Sequence, residues 1–283
     1  MKQQEGLRYS ARDLAIVRAK HIGIPVVLGS ATPTLEMLHH CRTGSYVHLQ
    51  LPHRAGGAKP PALRLVDLNR TVARDGVSEP LAAAIAEHLG AGGQVLMFLN
   101  RRGFAPTLIC ASCGHIAECP RCDSRMTVHA HDRQLRCHHC GVYRPLDDTC
   151  SECGAQVRPL GEGTQRLEEA LQERFPTRRV IRIDSDSTQK KGAMTEALSL
   201  AERGDAEILV GTQMLSKGHH FPNLTLVGII NADQGLFGAD FRSSERLAQS
   251  IIQVAGRAGR EDRPGEVLVQ TAFPDNDFWA RLI

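Results

Sequence analysis

The sequence predicts an α/β fold: a parallel sheet with helices on both faces, interrupted by a cysteine-rich insert. Three observations carry that reading. Helical patterns alternate with near-continuous apolar runs such as Gln94–Leu99 and Leu224–Ile230, the pattern of strands buried on both faces. Eight of the nine cysteines fall between Cys110 and Cys153 as four Cys-x-x-Cys pairs. Between Leu51 and Asn69, Pro52, Gly56, Gly57, Pro60 and Pro61 mark a linker between two stretches of α/β pattern.

The elements follow in order. Residues 11–21 read as a helix, with Leu14 and Val17, and Ala15 and Arg18, recurring at helical spacing. Residues 25–28 read as a short buried strand running into Ser30-Ala31-Thr32, and a second helix begins at 34–39. Beyond the linker come an Ala-rich helix at 79–89 and an apolar strand at 94–99, and then the cysteine window, 108–160. After it the pattern predicts helix 164–174, strand 179–183, helix 193–203 and strands 207–211 and 224–230. A long helix from 243 onward and a strand at 266–271 complete the series.

Bulk properties bound the function. A chain of 283 residues suits about two domains. A net charge of +3 permits a nucleic-acid partner without demanding one. Lys2, Arg8, Arg12, Arg18 and Lys20 leave no apolar core for a secretory leader. No apolar run reaches the roughly 18 residues of a membrane helix. The expectation is a cytoplasmic protein with no membrane partner, in which paired thiols serve as metal ligands rather than disulfides.

Each Cys-x-x-Cys pair presents two thiolates from one turn, and a closed structural zinc site takes four. The four pairs therefore predict two Zn2+. Only five residues separate Cys113 from Cys119, too few for a ribbon, whereas fourteen separate Cys122 from Cys137, close to zinc-ribbon spacing. Spacing predicts a nested arrangement: Cys119, Cys122, Cys137 and Cys140 on one zinc, and Cys110, Cys113, Cys150 and Cys153 on the other. His115, His129, His131, His138 and His139 are then bystanders. From 110 to 160 six arginines face six acids with no lysine, so the window lacks the surplus charge for phosphate neutralisation.

A second signal lies in residues 211–260. Arg242, Arg246, Gln249, Gln253, Arg257 and Arg260 recur as one polar helical stripe without acids, opposite Leu247, Ile251, Val254 and Ala258. Gly256 and Gly259 beside arginines suit close approach to another surface or ligand, and arginine is the residue that meets developing phosphate charge.

Gln253-x-x-Gly256-Arg257-x-Gly259-Arg260 resembles motif VI of superfamily 2 helicases. Gly211-Thr212-Gln213 with Lys217-Gly218-His219-His220-Phe221-Pro222 resembles motif V, and Ser30-Ala31-Thr32 motif III. With eight cysteines set into the second lobe, the combination resembles the PriA family of replication-restart helicases. Phe98-Leu99-Asn100-Arg101-Arg102-Gly103-Phe104-Ala105, Gly161-Glu162-Gly163-Thr164 and Asp240-Phe241-Arg242-Ser243-Ser244-Glu245-Arg246 add to the match.

The resemblance implies a RecA-like helicase lobe 2 with an inserted double zinc-ribbon module, plus the tail end of lobe 1. The divisions expected are 1–50 (end of lobe 1), 51–107 (linker and start of lobe 2), 108–160 (zinc insert) and 161–283 (rest of lobe 2). It implies an ATP-driven 3′→5′ DNA helicase that initiates replication restart on branched and single-stranded DNA, with single-stranded-DNA-binding protein and primosome proteins as partners. It places Arg257, Arg260 and Gln253 at the γ-phosphate, Gly218 and Asp233 at the nucleotide, and Thr212, Lys217, Arg101 and Arg102 near DNA. Ser30 and Thr32 would couple lobe closure to hydrolysis. His220 stands where many such motors carry Asp.

No Gly-x-x-x-x-Gly-Lys-[Ser/Thr] and no Asp-Glu-x-His box occurs in these residues. Those elements cradle phosphates and hold Mg2+. The expectation is a C-terminal fragment of such a helicase that folds around zinc without hydrolysing ATP alone. The alternative is a non-catalytic, zinc-containing DNA- or protein-binding fragment.

Overall fold

The computed structural model describes residues 9–52, 60–100, 108, 110, 112–122, 124–129, 133–137, 139–156, 164–184, 187–188, 192–215, 219, 221–238, 240–259 and 264–283. Two compact units divide at His48/Leu49. The first holds α1 (Ala11–Ile22) and α2 (Leu35–Arg42). Ser10 caps α1 by accepting a hydrogen bond from the Asp13 amide at 3.3 Å, and Gly23 ends it in the left-handed conformation at φ 73°. The Arg12 guanidinium donates to Thr34 Oγ1 at 2.9 Å and joins the two helices. Residues 25–28 form no strand and have no ladder partner among the described residues. An apolar run alone does not make a strand when nothing pairs its amides.

The second unit contains β1 (Ala62–Asp67), β2 (Ala73–Arg74), β3 (Val77–Ser78), α3 (Glu79–Gly90) and β4 (Gln94–Leu99). Next come β5 (Thr127–His129), β6 (Gln134–Arg136), β7 (Tyr143–Pro145), α4 (Thr164–Arg174), β8 (Val180–Ile183) and α5 (Ala193–Arg203). The chain ends with β9 (Ile208–Gly211), β10 (Leu224–Ile230), α6 (Ala232–Leu236), α7 (Ser243–Ala255), β11 (Glu266–Thr271) and α8 (Asp277–Leu282). A six-stranded sheet runs in the order β1-β11-β10-β4-β9-β8, and every pairing in it is parallel.

Two apolar layers sandwich this sheet. Side chains alternate along β4, so Leu96 and Phe98 pack with Leu247, Ile251, Val254 and Trp279 from α7 and α8 on one face. Val95, Met97 and Leu99 pack with Leu81, Ile85, Leu167 and Leu171 from α3 and α4 on the other. Because both faces are covered, all six residues of β4 are buried, which is why the strand reads as one apolar run.

Three departures from the sequence reading have local causes. Part of the expected linker, Ala62–Asp67, is β1, which pairs with β11 from the edge of the sheet. One face of an edge strand stays half exposed, so Leu63 and Leu65 alternate with Arg64 and hide the pattern. The long helix from residue 243 stops at Ala255, where Gly256 caps it, so Arg257 lies in the following turn instead of on a continuous helical stripe. Acids also meet that stripe: Arg246 pairs with Asp240 at 2.8 Å, and Arg242 lies 3.8 Å from Glu245. Among the described residues no helix is long and apolar enough to cross a membrane.

Candidate metal centres and motor-site residues

The insert between β4 and α4 is a small antiparallel sheet of three strands, β5-β6-β7, flanked by bridges Glu118↔Arg125 and Thr149↔Gln156. Its core is Leu108, Ala117, Met126, Val128 and Leu135 with the buried sulfurs. A core this small needs a metal staple to hold a fold.

The eight cysteines form two clusters, Cys110/Cys113/Cys150/Cys153 and Cys119/Cys122/Cys137/Cys140, with all ligand atoms of each within 4.8 Å of one another. Sulfur–sulfur separations are 3.6 Å for Cys110–Cys153 and Cys113–Cys150, 3.5 Å for Cys119–Cys140 and 3.6 Å for Cys122–Cys137. A disulfide would need about 2.05 Å. Four sulfurs at about 2.3 Å from a tetrahedral zinc lie about 3.8 Å apart, so both clusters fit a tetrathiolate site.

Local backbone builds each half-site. The Cys110 amide donates to the His115 carbonyl at 2.8 Å and the Gly114 amide to the Cys110 carbonyl at 2.9 Å. Cys137 repeats the pattern with Val142 and Gly141, and Cys150 with Ala155 and Gly154. Gly114, Gly141 and Gly154 sit at φ 74°, 79° and 69°, where a side chain would be strained. The glycine directly after the second cysteine of three pairs is thus a signal of these turns that stands in the sequence itself.

Main-chain amides also reach the sulfurs. Arg121 N lies 3.4 Å from Cys119 Sγ, and Cys140 N 3.5 Å from Cys137 Sγ. The amides of Cys113 and Ser112 draw the Cys110 thiol down to about 6. Burial pushes Cys137 up, but the amides of Cys140 and His139 outweigh it and bring that thiol to about 6 as well. The neighbouring sulfurs push their partners Cys113 and Cys140 the other way, up to about 12, so within each cluster one thiol gives up its proton before the next, and a metal binds the thiolate form. His115 stands aside, its Nε2 3.3 Å from Ser151 Oγ.

The insert is seated on the sheet's carboxyl edge. The Arg125 guanidinium lies 5.5 Å over the Phe237 ring, which packs edge-on against Phe273 at 4.5 Å. Phe237 follows α6 and Phe273 follows β11.

The motor-motif residues divide between the two edges of the sheet. Thr212 follows β9 at the carboxyl edge and is buried. Asp233 lies beyond β10 at the same edge, but its carboxylate is committed internally. Thr271 Oγ1 donates to one oxygen at 2.5 Å and the Ala272 amide to the other at 2.9 Å. Burial raises its pKa.

At the amino edge, Arg257 Nη1 donates to the His219 carbonyl, and the Gly259 amide donates to the Leu224 carbonyl at the start of β10 at 3.0 Å. This brings the end of one motif against the end of another, 38 residues apart. Gln253 is half-buried in the last turn of α7. Arg101, Arg102, Lys217, Gly218, His220 and Arg260 lie outside the described residues.

Sequence reasoning missed two supports. A Cβ on Gly265 would stand 2.5 Å from the Ala258 carbonyl carbon and the Gly259 nitrogen, so its bare backbone admits the Arg257 turn. Asp184, at the end of β8, accepts from Thr164 Oγ1 at the start of α4 and from the Ser187 amide at 2.8 Å.

Residues 119–145 match the PriA DNA helicase Cys-rich region (CRR) domain, and residues 146–262 match the helicase conserved C-terminal domain. The replication restart protein PriA of Haemophilus influenzae is 50% identical over 283 residues, covering 100% of this chain and 39% of that protein. That of Bacillus subtilis is 45% identical over 279 residues, covering 97% of this chain and 35% of its own length. That of Rickettsia felis is 40% identical, covering 97% and 43%. The chain thus spans about two fifths of the length of these curated relatives. Carrying both of these matched regions, and aligned along essentially its whole length with the PriA proteins, the chain belongs to the PriA family.

Proposed function

We propose that this chain supplies the second motor lobe, with its zinc module, of an ATP-dependent 3′→5′ DNA helicase acting in replication restart. The observation that carries this reading is the junction of Arg257 with the His219 carbonyl at the amino edge. That bond holds one guanidinium in a fixed direction, as an arginine serving a transferring phosphoryl group requires. Arg257 and Arg260 are assigned to the γ-phosphate, with Gln253 beside them and Gly218 near the nucleotide. Asp233 is assigned to the interlobe cleft near the nucleotide, its carboxylate held by Thr271 Oγ1 and the Ala272 amide. Thr212, Lys217, Arg101 and Arg102 are assigned to the DNA backbone. ATP and Mg2+ would bind with a phosphate cradle that these 283 residues do not themselves contain.

Two Zn2+ ions, one per cysteine cluster, complete the assignment. The domain division is residues 1–50 for the end of the first lobe, 108–160 for the zinc module, and 51–107 with 161–283 for the second lobe. Branched and single-stranded DNA, single-stranded-DNA-binding protein and primosome proteins are the partners assigned, in the cytoplasm.

The test is a graft. The 283 residues replace the matching segment of the Haemophilus influenzae relative, which is 50% identical. The graft is expected to bind two zinc ions and unwind a forked duplex with ATP, while the 283-residue chain alone hydrolyses none. A folded, zinc-loaded graft without DNA-stimulated hydrolysis would refute the assignment.

A further inference from the structure

Phe241 is the only phenylalanine exposed among the described residues, at 91% of its surface, while Phe98 and Phe221 are buried. It sits in the connection between α6 and α7, beyond the carboxyl end of β10 and on the same edge as Thr212. The turn that carries it is built to keep it outside. Asp240 Oδ1 accepts from the Arg242 amide at 2.9 Å, and the Asp240 carbonyl accepts from the Ser243 amide at 2.8 Å. Asp240 Oδ2 pairs with Arg246 at 2.8 Å, one turn into α7. These bonds fix the backbone of the turn that presents the ring.

The Arg242 guanidinium lies over the ring, with Cζ 5.3 Å from its centroid, and Glu245 stands 3.8 Å behind it. A cation covers one face of the ring, and the exposure leaves the opposite face to solvent. We infer that Phe241 is a stacking platform for an unpaired nucleobase of single-stranded DNA, with Arg242 supplying positive charge beside it. Aromatic rings take any base on a free face, and arginine adds a cation–π contribution. A protein partner fits less well. Its neighbours along the turn are the polar Asp240, Arg242 and Ser243, and one exposed ring is far short of the about 800 Å² per side that a protein interface needs.

This inference rests on the proposed assignment of Thr212, at the same carboxyl edge, to the DNA backbone, and its test separates the two. The zinc-loaded 283-residue chain is titrated against fluorescent oligothymidylate and against an abasic oligonucleotide of the same length. Phe241→Ala is expected to weaken oligothymidylate binding roughly 5- to 150-fold, the range for one lost stack. Phe241→Trp keeps the affinity, and abasic DNA binds the unaltered and Phe241→Ala chains alike. Unchanged oligothymidylate binding by Phe241→Ala, or an equal loss on abasic DNA, overturns the inference and leaves the edge's role in DNA contact standing. No binding of either oligonucleotide by the unaltered chain overturns both.

Discussion

Gly265→Ala tests how the Arg257 turn is held. The added methyl would stand 2.5 Å from the Ala258 carbonyl carbon and the Gly259 nitrogen, and 2.6 Å from the Ala258 oxygen. Carbon atoms pack at about 3.5–4.0 Å, so one backbone must retreat by about 1 Å. Neither can do so freely: the Gly259 amide is bonded to the Leu224 carbonyl, and the Gly265 carbonyl accepts from the Ala62 amide. Overpacking of this kind costs about 1–3 kcal/mol. At about 2–4 °C per kcal/mol for a domain of this size, Tm should fall by roughly 2–12 °C.

Gly90→Ala is the matched control. It ends α3 with open space where its Cβ would stand, so the same chemical change should be neutral or stabilising there. Thermal unfolding followed by circular dichroism measures both variants. Zinc content should stay unchanged in Gly265→Ala, because the clash is remote from the cysteines. A Gly265→Ala chain as stable as the parent would refute the argument that this glycine seats the Arg257 turn.

Further outcomes follow from the same geometry. Cys137→Ser should remove one of two zinc equivalents, measured by mass spectrometry of the native chain. It should also loosen the insert while the six-stranded sheet, whose core is separate, keeps its cooperative melt. Burial alone would raise the Asp184 pKa, but Thr164, the Ser187 amide and Arg182 outweigh it and lower it overall. Its stabilisation is therefore present above the ordinary carboxylate range and lost as pH falls through the lowered value. Asp184→Asn should cost about 1–3 kcal/mol at neutral pH and flatten the acid limb of stability, read by urea melts at several pH values.

Much of the fold was legible because its central strands are covered on both sides. β4, β10 and β11 read directly as apolar runs, and α4 and α5 as amphipathic segments between them. β1 was not legible, since it follows Pro60 and Pro61, alternates Leu with Arg, and finds its partner about 200 residues later. The end of α7 was hidden because its polar spacing continues to Arg260, while the chain turns out of the helix after Ala255 and packs Ala258 and Gly259 against Gly265.

The cysteine clusters could be read from spacing because a ribbon sets how far apart paired half-sites fall. The pairing of Arg246 with Asp240 could not, since Asp240 lies before the helix and reaches forward into its first turns. The partners of the Asp233 carboxylate were hidden too, since Thr271 and Ala272 follow it by 38 and 39 residues.

Arg257 is the residue on which the functional reading turns. In the grafted helicase, Arg257→Ala should keep both zinc ions and the affinity for single-stranded DNA. DNA-stimulated ATP hydrolysis should fall by about 10³- to 10⁵-fold, the range for loss of an arginine that meets the transition-state charge. Hydrolysis within a few fold of the parent graft would contradict the account.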